Sequence, residues 1–484
     1  MNTKSIKGQE NILQKKTKIV CTIGPATESK EKLEALLKAG MNVMRLNFSH
    51  GDFKEHQTRV DNLRSVVSKL NIPVAIMQDL GGPKIRIGNF KDGVVILEEG
   101  KKFTITTDDI EGDVNRVSVN YPNFSKEVEK GHIIFMHDGR KKLEVLEVKG
   151  NDVVCKILIG GEVKSRRGLN LPDSDLSISS LTEKDKKDLV FGIKNKVDFF
   201  ALSFVRSPED ITELRNILIK AKSKAKIIAK IETPQAIKNI DKIIELTDAI
   251  MVARGDLAIE VPAEKVPVLQ KMMIHKCMAM GKPVITATQM LESMIKAPVP
   301  TRAEVSDIAN AILDGTDAVM LSEETALGDF PVDAVQMMTR VALSIESTMD
   351  NFHPFLEDVL QQSVQNISES VTASVVKTAE SIEAKYIVAL TKTGRNARFI
   401  SRYKPNQTIL VVTPDDSTYR QSVLSFGTYP IKVGAFTQFS DLLIAVRTFL
   451  IKNKLVVKGD KVVVASGMPF GKVLETNMMV IETI

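Results

Sequence analysis

Tryptophan is absent from this 484-residue chain, and tyrosine occurs only 5 times. Single-stranded nucleic acids are held by stacking aromatics beside a basic stripe. The net charge of +6 is instead spread along the chain. Nucleic-acid binding is therefore not expected, and the positive balance suits small anionic substrates at most. Long apolar runs are missing too. No stretch approaches the roughly 18 residues that cross a bilayer, so no membrane segment is expected. The lysine-dotted N-terminus, Met1–Lys18, has no apolar core and does not read as a secretory signal. Residues 1–16 are expected to form a short arm. Cysteine is scarce: Cys21, Cys155 and Cys277 lack metal-ligand spacing. They fit burial as small hydrophobes in a reducing compartment, and a cytoplasmic location is expected.

What the chain does have is length and a repeated pattern. Its size implies about two to four domains. Apolar runs of strand length recur at Lys18–Ile23, Asn42–Leu46, Val74–Met77, Phe199–Ser203, Ile227–Ile231, Ala249–Ala253, Pro283–Thr288 and Ala318–Leu321. Segments of helical period lie between them: Lys30–Ala39, Glu55–Leu70, Pro208–Lys220, Pro234–Leu246, Ala263–Ala279 and Thr301–Asp314. Continuous apolar strands alternating with amphipathic helices imply a parallel sheet. Eight such units imply an α/β fold, a (β/α)8 TIM barrel with its active site at the C-terminal strand ends. The barrel is assigned to residues 17–82 and 177–349.

Within residues 83–176 the period changes to short alternating strands, Val94–Leu97, Phe103–Thr106, Ile133–Met136, Lys142–Val148 and Val153–Ile159. Turn signals such as Asp92-Gly93 and Asp138-Gly139 separate them. This reads as a small all-β domain inserted in a βα loop. Such an insert sits over the catalytic face as a lid. Residues 350–484 read as an open α/β domain, with strands Tyr386–Leu390, Ile409–Thr413 and Lys461–Ala465 and helices Ser368–Ser381, Asn396–Tyr403, Asp416–Leu424 and Phe439–Lys452.

Two strand ends carry the densest chemistry. Ile227–Glu232 ends in Lys230 and Glu232, and Met251–Asp256 ends in Arg254, Gly255 and Asp256. Carboxylates on successive strands can share a divalent ion. A lysine two residues before the first points to the same side. A cation beside a metal suits phosphoryl chemistry. Taken singly, either run also reads as a buried strand with charges at its end.

Several segments resemble the pyruvate kinase family, in family order and spacing, across about Thr17 to Ile484. They are Lys18–Pro25, Met44–Gly51, Ala229–Glu232, Ala253–Leu257 and Thr286–Met294. The resemblance implies transfer of a phosphoryl group from phosphoenolpyruvate to ADP, giving pyruvate and ATP in glycolysis. By the same resemblance, Glu232 and Asp256 hold Mg²⁺ or Mn²⁺. Lys230 meets the phosphoryl group in flight, Arg45 grips it, and Arg86 makes a second phosphate contact. Asn47, His50, Arg86 and Arg167 contact the nucleotide. The backbone at Gly255–Asp256 and the hydroxyl of Thr288 cradle the substrate carboxylate. Thr288 and Ser322, with a water chain and Glu324, are candidates for protonating the enolate. A homotetramer is the family expectation.

The chain departs from the family at two places. Many members read Asp-Thr-Lys-Gly-Pro-Glu after the third strand and need K⁺; here Asp79-Leu80-Gly81-Gly82-Pro83-Lys84 stands instead. An ammonium can supply the monovalent ion's charge, so Lys84 is expected to remove the need for K⁺. His137-Asp138-Gly139-Arg140 replaces two aspartates before the glycine. Asp138 is kept for closure, and His137 introduces a group whose free pKa is near 6.5. Thr391-Lys392-Thr393-Gly394-Arg395-Asn396 follows a strand and opens a helix. Its amides and hydroxyls suit a phosphate, and it resembles the loop that takes a sugar-phosphate or nucleotide effector. The chain ends at Ile484, so the extra C-terminal domain of some bacterial members is not expected. Two rival readings remain at this level. One is a lyase or mutase that uses phosphoenolpyruvate without ADP; the other is a silent effector sensor.

Overall fold

The computed structural model describes residues 14–348, 366–434, 438–469 and 475–484. Most of the expected N-terminal arm therefore lies outside the described residues. Eight parallel strands close into a barrel in sequential order. They are β1 (Lys18–Thr22), β2 (Val43–Asn47), β3 (Ala75–Asp79), β4 (Phe199–Leu202), β5 (Lys226–Ile231), β6 (Ala249–Ala253), β7 (Val284–Ala287) and β8 (Ala318–Leu321). The expected strands all form, with ends shifted by at most two residues.

The period-two strand pattern has two destinations. Val20, Val43, Met77, Ala201, Ile228, Met251 and Met320 fill the barrel interior. Their neighbours face outward into a larger core shared with the helices, including Ile19, Met44, Ile76, Ile227 and Ile250. Helix starts follow local chemistry. Ser29 accepts from Lys32 N at 3.2 Å before Lys30–Ala39, and Asp52 makes a capping box with Glu55 before Phe53–Leu70. The expected helix Pro234–Leu246 breaks at Asn239 into Pro234–Lys238 and Ile240–Leu246. There the Asn239 side chain turns to donate to Arg206 O at 2.9 Å.

The barrel's base repeats one device four times. The residue before each even-numbered strand accepts from a backbone amide at the start of the strand before it. Asn42 takes Ile19 N at 3.0 Å, Asp198 takes Ile76 N at 2.9 Å, Asp248 takes Ile227 N at 2.9 Å, and Asp317 takes Val284 N at 3.0 Å. Amides at a strand's open end otherwise lack partners, and a buried unpaired amide is costly.

Between β3 and β4 the chain forms a six-stranded and a two-stranded sheet. They enclose a separate core that includes Phe103, Ile105, Phe124, Leu143 and Val153. The C-terminal unit is a five-stranded sheet, parallel but for one antiparallel edge strand, Met478–Thr483. Its other edge, Thr428–Lys432, was not expected from the sequence because Pro430 interrupts it. Proline is tolerated at a sheet edge, where one side needs no donor. This unit docks on the barrel's base through Lys18 Nζ to Thr428 O (2.7 Å), Arg420 Nε to Asp198 Oδ1 (2.8 Å) and a Lys404–Asp317 ion pair (2.9 Å).

Candidate active site

Two residues beyond the apolar filling, the interior rows reach the C-terminal rim and turn polar. Val20 leads to Thr22, Val43 to Arg45, Met77 to Asp79, Ala201 to Ser203, Ile228 to Lys230 and Met320 to Ser322. The strand period alone gathers these side chains at one mouth.

Five of them, Thr22, Arg45, Asp79, Ser203 and Lys230, form one buried network. Arg45 Nε donates to Asp79 Oδ2 at 2.7 Å, and its Nη1 donates to Thr22 Oγ1 at 2.7 Å. Lys230 Nζ donates to Ser203 Oγ at 2.7 Å and lies 3.3 Å from Asp79 Oδ1 and 2.9 Å from Glu232 Oε1. Burial disfavours the charge on Lys230, but Asp79 and Glu232 outweigh it and hold its pKa above the usual lysine range. Burial likewise opposes ionisation of Asp79, yet Lys230 and Arg45 keep its carboxyl below the usual range. The site therefore carries two fixed cations at its floor.

Glu232 is 1% exposed. Its Oε2 accepts from Phe204 N at 2.7 Å, helped by the left-handed turn at Phe204 (φ 54°). Its Oε1 accepts no hydrogen bond; the Lys230 approach is an ion pair without hydrogen-bond alignment. Burial raises the pKa of Glu232, and neighbouring Asp256 adds to the rise while Lys230 opposes it. A buried, under-coordinated carboxylate beside a second carboxylate fits a divalent ion. Among the described residues no three His, Cys, Asp or Glu side chains converge as a metal cage. Two carboxylates with the remaining positions left to water or substrate are what Mg²⁺ accepts.

Asp256 and Gly255 sit on a short helix, Arg254–Glu260, which lies outside the helical segments expected from the sequence. Gly255 N donates to Thr288 Oγ1 at 2.8 Å. A Cβ on Gly255 would stand 3.3 Å from that oxygen, a crowded approach. Thr288 and Gln289 both have positive φ, 69° and 56°. For a β-branched residue this is strained backbone. Arg254 holds the strained turn by donating to Thr288 O and Asp307 Oδ1, each at 2.7 Å.

The remaining sequence candidates divide. Lys84 and Arg86 line the cleft between the inserted sheets and the barrel with Asp138, Arg206, Asp256 and Glu260. Lys84 has a lowered pKa, first from lost hydration and then from Lys230 and Arg86, with Asp256 and Glu232 opposing. His50 is lowered by partial burial and by Lys84, Arg86 and Arg45, so it belongs to the same basic patch. The Asn47 side chain accepts from Ser49 N at 3.1 Å. Arg167 Nε is buried without a hydrogen-bond partner. His137 lies near Arg167, and burial followed by that arginine lowers its pKa. Ser322 N donates to buried Glu324 at 2.7 Å, so Glu324 is tied to the backbone there.

The loop Thr391–Asn396 lies in the C-terminal unit, apart from this cleft. The amides of Thr393 and Gly394 donate to Thr391 Oγ1 at 3.3 and 3.0 Å. Asn396 is buried; its Nδ2 donates to Ala465 O at 3.0 Å, while its Oδ1 accepts no hydrogen bond.

Sequence reasoning left Thr22, Ser203 and Glu260 out of the site and named Asp79 only as a strand end. The available signal was the period: each of Thr22, Asp79 and Ser203 stands two residues beyond an interior position, as Arg45 and Lys230 do.

Two family models match the chain, "Pyruvate kinase, barrel domain" over residues 14–335 and "Pyruvate kinase, alpha/beta domain" over residues 369–482. The chain belongs to the pyruvate kinase family. It is 45% identical to a pyruvate kinase of Staphylococcus epidermidis over 473 residues, 97% of this chain and 80% of that one. It is 46% identical to that of Staphylococcus saprophyticus over 469 residues, 96% and 80% of the two chains. A solved pyruvate kinase from Cryptosporidium parvum superposes with a TM-score of 0.93 at 38% identity, covering 98% of this chain and 97% of its own. Pyruvate kinase membership makes the chain a phosphotransferase with phosphoenolpyruvate and ADP as substrates, in a family that generally uses a divalent ion. No helix among the described residues is long and apolar enough to cross a membrane.

Proposed function

We propose the following division of labour for phosphoryl transfer from phosphoenolpyruvate to ADP. Lys230 and Arg45 stabilise the phosphoryl group as it moves. The supporting observation is the buried network that fixes both cations against Asp79, with Lys230 held charged by two carboxylates. A loose, electron-rich phosphoryl transition state is favoured by cations already in place. Glu232 and Asp256 hold Mg²⁺ or Mn²⁺, which when bound supplies further positive charge to the phosphoryl oxygens. The Gly255 amide and Thr288 hydroxyl, now bonded to each other, turn to the substrate carboxylate. Arg86, His50, Asn47 and Arg167 face ADP, with residues 83–176 acting as the lid. Thr288 and Ser322 order the water that protonates the enolate, because a threonine alone is a poor acid. Lys84 supplies the charge that K⁺ supplies elsewhere in the family.

The test is pyruvate formation from phosphoenolpyruvate and ADP with Mg²⁺, with and without K⁺, for wild type and Lys230→Met. ADP-dependent turnover unaffected by K⁺, lost by roughly a thousandfold in the variant, is the expected result. Turnover retained in Lys230→Met would remove that residue from the chemistry. A saturable loss without K⁺ at matched ionic strength would remove the role of Lys84.

The loop 391–396 is proposed as the seat of an effector phosphate, and the assembly as a homotetramer. The left-handed Gly394 and the helix opening at Arg395 support the loop reading. Sugar phosphates and AMP should shift the apparent affinity for phosphoenolpyruvate, and light scattering should give four chains; no shift with any effector, or a smaller mass, would refute the respective proposal.

A further inference from the structure

One short helix meets both the site floor and the lid. Arg254–Glu260 carries Gly255 and Asp256 at its start and Ile259 and Glu260 at its end. At the start, Gly255 N donates to Thr288 Oγ1 at 2.8 Å. At the end, Glu260 Oε1 accepts from Asn170 Nδ2 of the lid at 2.8 Å. Lid Gly139 covers the same end, and a Cβ placed on it would lie 3.5 Å from the Ile259 side chain. Glu260 also borders two lid–barrel cavities, one lined by Lys84, Arg86 and Asp256 and another by Asp138, Gly255 and Gln289.

Asn170 closes the two-residue strand Leu169–Asn170, which pairs with Phe135 and Met136 inside the lid. Arg167 stands three residues earlier on the same stretch. Each side of the Asn170–Glu260 contact is stiff: a helix of about 1.5 Å rise per residue from Asp256, and sheet-paired backbone from the lid. Other ties act elsewhere. Gln235 Nε2 donates to Ser174 O at 3.0 Å, and Arg206 donates to Leu176 O at 3.0 Å and to Ile178 O. Those contacts fix where the chain re-enters the barrel, and leave the lid's tilt to contacts farther out. Burial raises the pKa of Glu260 to about 7 and the Asn170 bond opposes the rise, so the carboxyl gains from its lid partner.

We propose that the Asn170–Glu260 hydrogen bond is a positioning contact that sets the lid's Arg167 against Asp256, and so governs ADP affinity. This rests on the reading of Arg167 as an ADP contact. Asn170 and Glu260 are positioning residues; neither is assigned to the reacting atoms.

The test is steady-state kinetics of the full chain with ADP varied at saturating phosphoenolpyruvate and Mg²⁺. The variants are Asn170→Ala, Glu260→Ala, Glu260→Gln, the double alanine, and Arg167→Ala in parallel. Each single alanine should raise KM for ADP roughly five- to tenfold, the worth of one ordinary hydrogen bond, with KM for phosphoenolpyruvate nearly unchanged. The double alanine should be no worse than the weaker single variant, because both remove one interaction. Glu260→Gln keeps an acceptor and should restore most of the affinity. Additive losses, or equal changes in both KM values, would overturn the proposal. A normal KM for ADP in Asn170→Ala with a raised one in Arg167→Ala would sink the contact alone. A normal KM in Arg167→Ala would sink the ADP reading beneath it.

Discussion

Lys84 occupies a position where the family pattern often has an acid, and its surroundings say what the change does. It shares the cleft with Arg86 and Asp256, and its pKa is lowered first by lost hydration and then by Lys230 and Arg86. Despite that, Asp256 and Glu232 draw it toward the charged form. One side chain thus adds a positive charge beside the two carboxylates proposed to hold the divalent ion. Lys84→Glu reverses that charge. At an effective dielectric near 20, a swing of this size within a cleft exceeds about 1.4 kcal/mol. Turnover without K⁺ should therefore fall at least roughly tenfold, and added K⁺ should restore part of it, while wild type stays indifferent to K⁺. Assays at constant ionic strength read this directly. A variant equally active with and without K⁺ would show that Lys84 contributes no such charge.

Helix Phe53–Leu70 shows what an element contributes beyond its packing. His56 is 1% exposed and stacks on Phe48 at 4.0 Å between ring centres, with Nε2 3.0 Å from His50 O. The helix therefore braces the loop that carries His50. Burial, aided by Arg59 and Lys184, lowers the pKa of His56 to about 4, against the His50 carbonyl contact. Its unfolded value lies near 6.5, so the unfolded chain takes the proton first as pH falls. Stability from this group is present above about pH 6.5 and is lost progressively down to about pH 4. His56→Phe keeps the stack and removes the titration. Its unfolding midpoint should fall less steeply than that of wild type between pH 7 and 5, and parallel curves would refute the assignment. The same scale marks where sequence reading succeeds and stops. The strands, and rim residues such as Lys230 and Glu232, were legible because a period of two carries Ile228 to Lys230 and then to Glu232. The helix Arg254–Glu260 was not, because a glycine and charges in its first turn hide any apolar stripe. The left-handed pair Thr288–Gln289 is set by tertiary contacts with Arg254 and Gly255, which no local preference announces. The Asn170–Glu260 contact joins residues 90 positions apart on different units, beyond any periodic signal.

Across the whole molecule, the residues that organise the barrel's base also fasten the C-terminal unit to it. Asp317 uses Oδ2 to take Val284 N, inside the barrel, and Oδ1 to take Phe426 N at 2.9 Å from the C-terminal unit. Lys404 adds an ion pair to the same Oδ1 at 2.9 Å, with both side chains 6% exposed. Asp198 repeats the arrangement, with Oδ2 on Ile76 N and Oδ1 on Arg420. The carboxylates therefore face buried demands on two sides, and a cation from the neighbouring unit balances each. Lys404→Met keeps the aliphatic volume and leaves Asp317 with amide donors alone. Removing one partner of a buried pair costs about 3–5 kcal/mol, mostly from the charge left behind. Lys224→Met serves as the comparison. It removes a contact between the same two units, Lys224 to Asp415 at 2.6 Å, but the lysine side chain is 69% exposed. An exposed pair of that kind is worth about 1 kcal/mol or less. Urea unfolding should therefore show a clearly lower midpoint for Lys404→Met and a nearly unchanged one for Lys224→Met. Equal shifts in the two variants would mean that burial of the Asp317 pair carries no special weight, and that the docking of the two units rests on apolar contact instead.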